Sequence, residues 1–142
     1  SYPGHGRRLL WKVTGANCRH EYGLKFIQVT GQASCAYCGG DILGRYEAWL
    51  TMALDHVVPA SVARALGIPE DWVEDAVNRV LSCAPCNTFD NRFQMPADTV
   101  IPASVEAFCD LRDRMFSERR VRIAECHDRE RTFFAGRPWQ RP

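Results

Sequence analysis

The strongest alternation of apolar and polar positions runs over residues 46–58, where Trp49, Leu50, Met52, Leu54, Val57 and Val58 recur among polar neighbours ahead of Pro59. Such a stretch predicts a strand, closed by a proline that cannot donate to a ladder. A second short strand is expected over residues 78–81, leading into Cys83. Between the two, residues 61–66 predict a helical turn stopped by Gly67. Pro69, with Glu70 and Asp71 behind it, predicts another, proline at the first helical position and acids in the first turn. Residues 87–93 follow as a helix on which Asn87 and Asn91, four apart, share a face. The middle of the chain therefore reads strand, connection, strand, helix.

The flanks carry a different rhythm. Tyr22, Phe26 and Val29 stand at helical spacing, with Gly31 as a stop, while Tyr2-Pro3-Gly4-His5-Gly6 reads as a loop-like arm and residues 7–13 as a short basic and apolar segment. After Pro102-Ala103-Ser104 neither glycine nor proline occurs until Gly136, which predicts one long helix. Val105, Phe108, Leu111, Met115 and Phe116 form its apolar stripe, with Ile123, Phe133 and Phe134 as its continuation. The class is α+β in a single domain: a basic extension over residues 1–32, a small core over 33–96 and a helical segment over 97–142. A chain of 142 residues buries a real but modest core. Its 46% apolar and 25% charged residues are those of a soluble globular protein. Leu9-Leu10-Trp11 is too short for a signal peptide, and no apolar run reaches the roughly 18 residues of a membrane span.

Charge changes the picture once it is divided along the chain. Residues 1–25 hold five cations against Glu21 alone, residues 41–78 hold seven acids against Arg45 and Arg64, and residues 79–142 hold eleven arginines against nine acids. Basic arms around an acidic middle suit a polyanion with cations held in the centre, although solvated surface charge gives the same composition. Arg112, Arg114, Arg119, Arg120 and Arg122 make the middle of the long helix basic. That face either lies along DNA or is an ordinary solvated face laced with pairs such as Glu118–Arg122.

Cysteine supplies the first specific chemistry. Cys35-Ala-Tyr-Cys38-Gly39 and Cys83-Ala-Pro-Cys86 are two pairs with two residues between, the spacing of a closed tetrahedral zinc site. A redox centre needs only one such pair. Four thiolates leave no open position, so the zinc is structural, and seven cysteines used this way imply a reducing, cytoplasmic setting. Cys18 with His20, and Cys126 with His127, have no paired motif, and Cys109 and Cys126 read as packing residues.

Between the pairs lies Asp55-His56. Phosphodiester hydrolysis needs a deprotonated water and charge neutralisation at the phosphate. Histidine titrates near neutrality, and a carboxylate with an amide oxygen suits Mg²⁺ or Mn²⁺. Adjacent strand residues point to opposite faces, so both reach one site only if the strand ends or bends near Pro59.

Asp55-His56, Asn78, and Asn87 placed directly after Cys-x-x-Cys resemble the motif of the HNH endonucleases, in their zinc-bound branch. The resemblance covers residues 35–93 and includes the nine-residue step from Asn78 to Asn87. It implies the ββα-metal fold, with His56 as general base, Asp55 and Asn87 as ligands of a catalytic Mg²⁺ or Mn²⁺, and Asn78 fixing the loop that aims His56. Cys35, Cys38, Cys83 and Cys86 would hold the structural zinc. It further implies a double-stranded DNA partner cut to 3′-hydroxyl and 5′-phosphate ends. Asparagine stands for histidine at the third signature position, Ser61-Val62-Ala63-Arg64 stands where the family often has Gly-Gly, and Asp90 replaces a usual lysine. Arg79 and Arg92 flank the motif and serve either a phosphate or a surface salt bridge. Two other functions share these features: a zinc-stabilised nucleic-acid-binding module without catalysis, and a nuclease acting on RNA or structured nucleic acid.

Overall fold

The computed structural model describes residues 9–90 and 95–140. The arm at residues 2–6, the end of the helix expected over 87–93, and with it Asn91 and Arg92, lie outside the described residues. Within them the fold is α+β, several helices around one two-stranded sheet.

The N-terminal segment is stitched to the connection between the strands. Asp75, buried, accepts from the N–H groups of Leu10, Trp11 and Val77, while Ala76 N–H donates to Trp11 at 3.0 Å and Val13 N–H to Glu74 at 3.2 Å. Asn17 then caps a wide turn over Cys18–Tyr22 by accepting from His20 N–H. This turn runs into α1 (Gly23–Thr30), which buries Phe26 and stops at Gly31, whose φ of 71° is left-handed. Val29 stays exposed.

Residues 46–58 are not one strand. Tyr46–Leu50 forms a short helix, α2, and only Ala53–His56 is extended, as β1. The apolar run suits either geometry. Glu47 in the first turn and the Tyr46–Trp49 ring contact one turn on favour the helix, while Tyr46 and Leu50 face solvent. After β1 come α3 (Ala60–Ala65) and α4 (Glu70–Val73), with Pro69 capping α4 from just outside rather than occupying its first turn. β2 (Arg79–Ser82) starts one residue later than expected, because Asn78 closes a 3₁₀ turn. The strands pair antiparallel, Asp55 opposite Val80 and His56 opposite Arg79.

A lone ribbon is marginal in water, and this one is covered. Every residue of β2 is buried. Its outer edge is occupied at Leu81, whose N–H donates to the Gln32 side chain and whose carbonyl accepts from Ala36 N–H at 2.9 Å. α5 (Ala84–Phe89) begins immediately after Cys83, with proline in its first turn, and packs on β1.

The long helix, α6 (Val105–Ala135), forms where expected, capped by the Ser104 side chain accepting from Ala107 N–H and ended at Gly136. At 31 residues it is about 46 Å long. Its buried stripe is not wholly apolar: Phe108, Arg112, Met115, Arg119 and Ile123 follow one another at helical spacing, all buried. Arg112 donates from Nε to the Val77 carbonyl and its guanidinium lies over Phe116. The stripe ends at Ile123, and Phe133 and Phe134 are 65% and 57% exposed. The expected basic face thus loses Arg112 and Arg119 to the interior, and Arg122 pairs with Asp90. One hydrophobic cluster runs from Val13 to Ile123, so extension, core and helix share it. No helix among the described residues is long and apolar enough to cross a membrane.

Asp75→Ala tests the stitching. It leaves three backbone donors without their acceptor, that of Val77 buried and those of Leu10 and Trp11 part-buried, and should lower stability by about 3 kcal/mol or more in urea unfolding, since an unpaired buried donor costs about 1–3 kcal/mol. Asp75→Asn keeps one acceptor oxygen and should cost less; equal stability of all three proteins would show that the segment is not held this way.

Candidate functional site

The two cysteine pairs meet. Cys35, Cys38, Cys83 and Cys86 place their sulfurs within 4.8 Å of one another, and Cys38 and Cys83 are 3.8 Å apart. A tetrahedron with Zn–S bonds of about 2.3 Å has an edge of about 3.8 Å, so the four thiols fit a zinc ion. Local sequence makes the first half: Cys35 N–H donates to the Gly40 carbonyl and Gly39 N–H to the Cys35 carbonyl, both at 2.8 Å. Gly39 turns at a φ of +75°, which a side chain would resist, and Gly40 N–H faces the Cys38 sulfur at 3.4 Å. The second half is the start of α5, with Cys83 as its cap and Cys86 one turn on.

Electrostatics agrees with a metal at this point. Burial opposes ionisation of Cys35, yet the N–H groups of Cys83, Cys38 and Tyr37 outweigh it and hold that thiol below its ordinary value. Burial pushes Cys83 up to about 11, despite help from Cys86, and the Cys35 charge adds to the rise. Cys86 is pushed up further, by burial and then by Cys35 and Cys83. Crowded thiolates repel one another until a dication neutralises them. His127, which sequence pattern leaves without a partner, lies with Nε2 3.1 Å from the Cys86 sulfur and its ring edge-on to Phe89 at 4.9 Å. Its partner is remote in sequence, so no local spacing announces the contact.

The end of β1 carries the second cluster. Asp55 and His56 diverge, as neighbours on a strand must. The Asp55 Oδ2 accepts from the Tyr37 hydroxyl and from Arg119 Nη1, the latter at 2.8 Å. Burial, reinforced by the Asp55 charge, pushes the Tyr37 phenol well up, so it stays a donor. Arg119, only 2% exposed, also donates to the carbonyls of His56 and Val57 at 2.8 and 2.9 Å and pairs through Nε with Asp90 at 3.1 Å. Asp90 holds Arg122 as well.

On the other side, His56 Nε2 is 3.1 Å from Glu74 Oε1 and 3.2 Å from Arg79 Nη1. Burial lowers the His56 pKa, Arg79 adds to the effect, and Glu74 opposes it, a balance that favours the neutral ring. Arg79 is itself buried: Nη1 reaches Glu74 Oε2 at 3.3 Å, Nη2 donates to the Leu54 carbonyl, and the guanidinium lies over Tyr22. It is neither a surface salt bridge nor a guanidinium extended towards solvent.

Asn78 sits just below, fully buried. Its Oδ1 accepts from Val58 N–H at 2.9 Å and its Nδ2 donates to the carbonyls of Val58 and Val73, both at 3.0 Å. Its own carbonyl accepts from Val57 N–H. The two residues after His56 are thereby pinned. Asn87 lies half-buried on α5, one turn beyond Cys83, whose carbonyl accepts its N–H. Asp55, His56 and Asn78 thus share the sheet end, and Asn87 sits on the helix packed against it. Tyr37, Glu74 and Arg119 complete the cluster; the sequence pattern assigns none of them to it and places Arg119 on a basic helix face. Arg119 had a signal, a cation in register with an apolar stripe; Glu74 had none, being one of several acids in the connection. No family model, curated protein or solved structure matches the chain.

Purified protein should contain about one zinc per chain, and stripping it with a chelator should lower stability by several kcal/mol, of the order that links metal binding to folding. The raised thiols of Cys83 and Cys86 bind protons that zinc must displace. Zinc affinity should therefore fall as pH falls, by about tenfold per unit for each proton displaced. Unchanged thermal unfolding after complete chelation would remove zinc from the fold.

Proposed function

We propose that the chain is a metal-dependent endonuclease of the HNH type, its catalytic core a ββα-metal unit over residues 33–96 that hydrolyses DNA. The observation that carries this reading is the half-buried His56 at the end of β1, beside a carboxylate and ahead of two residues pinned by Asn78. A neutral imidazole is competent to take a proton from water. The ribbon of β1 and β2 followed by α5 is the element order such a unit requires, and the four-cysteine cluster holds the ends of that unit together.

In this reading Asp55 and Asn87 hold Mg²⁺ or Mn²⁺, which when bound neutralises charge at the phosphate and the departing 3′ oxygen. The ligand chemistry fits. Oδ2 of Asp55 is occupied by Tyr37 and Arg119, no hydrogen bond falls on Oδ1 among the described residues, and an amide oxygen is a suitable second hard ligand. His56 removes the proton from the attacking water, and Asn78 keeps the chain behind it from shifting. Arg119 and Tyr37 orient Asp55, as partners behind a metal ligand do. Double-stranded DNA is the proposed partner, and the free thiols suit a reducing, cytoplasmic setting.

Incubation with supercoiled plasmid and Mg²⁺ or Mn²⁺ should give nicked or linear product, and chelation should stop it. His56→Ala removes the proton acceptor and leaves zinc and hard-metal ligands in place. Its cleavage rate should fall about 10²–10⁴-fold while gel-shift affinity in Ca²⁺ persists. Equal cleavage by both proteins takes His56 out of the mechanism. Shifted DNA with no cleavage in either metal favours the binding module, and cleavage of RNA alone changes the substrate.

A further inference from the structure

We infer that Glu74 is a positioning residue that holds His56 as its Nε2–H tautomer, so that Nδ1 is the nitrogen offered to a proton. This deepens the proposed nuclease reading and, as a claim about proton acceptance, rests on it.

The inference comes from the two neighbours of one atom. His56 Nε2 lies 3.1 Å from Glu74 Oε1 and 3.2 Å from Arg79 Nη1. A carboxylate only accepts and a guanidinium only donates. A neutral ring can satisfy one of them at Nε2 and must present the wrong polarity to the other. Two of the Arg79 nitrogens have other acceptors, since Nη1 reaches Glu74 Oε2 at 3.3 Å and Nη2 donates to the Leu54 carbonyl at 3.3 Å, while Nε is buried without a partner among the described residues. Its guanidinium also lies 5.5 Å from the centre of the Tyr22 ring. Glu74 Oε1 has no donor among the described residues except His56. Placing the hydrogen on Nε2 gives Glu74 Oε1 its donor while Nη1 and Nη2 of Arg79 keep their other acceptors, whereas placing it on Nδ1 sets a lone pair against a half-buried carboxylate.

The backbone makes this carboxylate a fixed reference. Glu74 ends α4, with its N–H donating to the Glu70 carbonyl at 2.9 Å and its own carbonyl accepting from Val13 N–H at 3.2 Å. Arg79, directly opposite His56 in the ribbon, pulls the other carboxylate oxygen towards the sheet. Strand register, the end of α4 and the N-terminal segment thus converge on a carboxylate that locks one ring nitrogen. The remaining nitrogen keeps its lone pair.

The test uses the zinc-loaded full chain with ¹⁵N-labelled histidine. Long-range ¹H–¹⁵N correlation at neutral pH should show Nε2–H for His56 in the wild type and in Glu74→Gln, whose amide oxygen still accepts. Glu74→Ala should lose that preference, with zinc content and thermal unfolding confirming that it folds. In the plasmid assay Glu74→Ala should lower kcat about tenfold or more, a share of the ~10²–10⁴-fold worth of a positioned base, with KM and Ca²⁺ gel-shift affinity unchanged, and Glu74→Gln should recover most of it. An Nδ1–H wild type, or a tautomer unmoved in Glu74→Ala, overturns the inference whatever the activity. A tautomer that follows Glu74 in a protein that cuts nothing upholds the role of Glu74 and rejects the nuclease reading instead.

Discussion

One guanidinium, that of Arg119, holds the end of β1 to the rest of the molecule. It satisfies two backbone carbonyls that leave the ladder, at His56 and Val57, and it pairs with two carboxylates, Asp55 and Asp90. A charge this buried is tolerated only when its donors are met, and here Nη1 and Nε both have acceptors. The dependence runs in both directions. Withdrawing α6 would strand two acids in a poorly solvated place and leave two carbonyls unpaired, a much larger cost than the loss of apolar contact alone. The long helix is therefore a wall of the core.

Asp55 is where this constraint meets the cysteine cluster. Tyr37 lies between the two cysteines of the first pair, and its hydroxyl donates to the same carboxylate oxygen that Arg119 holds. Its ring is stacked on Phe116 of α6 at 5.3 Å and lies under the Arg119 guanidinium. The turn that presents Cys35 and Cys38 is thus the turn that presents Tyr37. On the far side, His127 of α6 touches Cys86. The cluster, the strand end and the helix form a closed circuit of contacts, so disturbing the thiols also disturbs the orientation of Asp55.

Features set by local chemistry are legible in the amino-acid sequence. The Ser104 cap, the stops at Gly31, Gly67 and Gly136, the doubled cysteine spacing and the strand, connection, strand, helix order all follow from residues within a few positions of one another. Sequence fails where the deciding partner is remote. An apolar run over residues 46–58 fits helix and strand alike, and only packing divides it into α2 and β1. Arginines 112 and 119 read as a basic surface because charge is ordinarily solvated. Their acceptors, the Val77 carbonyl and the end of β1, lie more than thirty residues away. The same blindness hides Glu74 and joins Phe133 and Phe134 to a stripe that ends at Ile123.

Adjacent residues on a strand face opposite ways, and Asp55 and His56 are each held by a separate clamp. Arg119 and Tyr37 hold Asp55 from the α6 side, Glu74 and Arg79 hold His56 from the connection, and Asn78 pins the next two residues between them. The charges in these clamps balance: Asp55, Asp90 and Glu74 stand against Arg119, Arg122 and Arg79. With the ion pairs closed on themselves, the imidazole lies among opposed charges whose effects largely oppose one another, and burial tips it towards the neutral form. The imidazole thus meets two opposite charges at one nitrogen, Glu74 from the end of α4 and Arg79 from β2, so its surroundings are set by the connection and by strand register together.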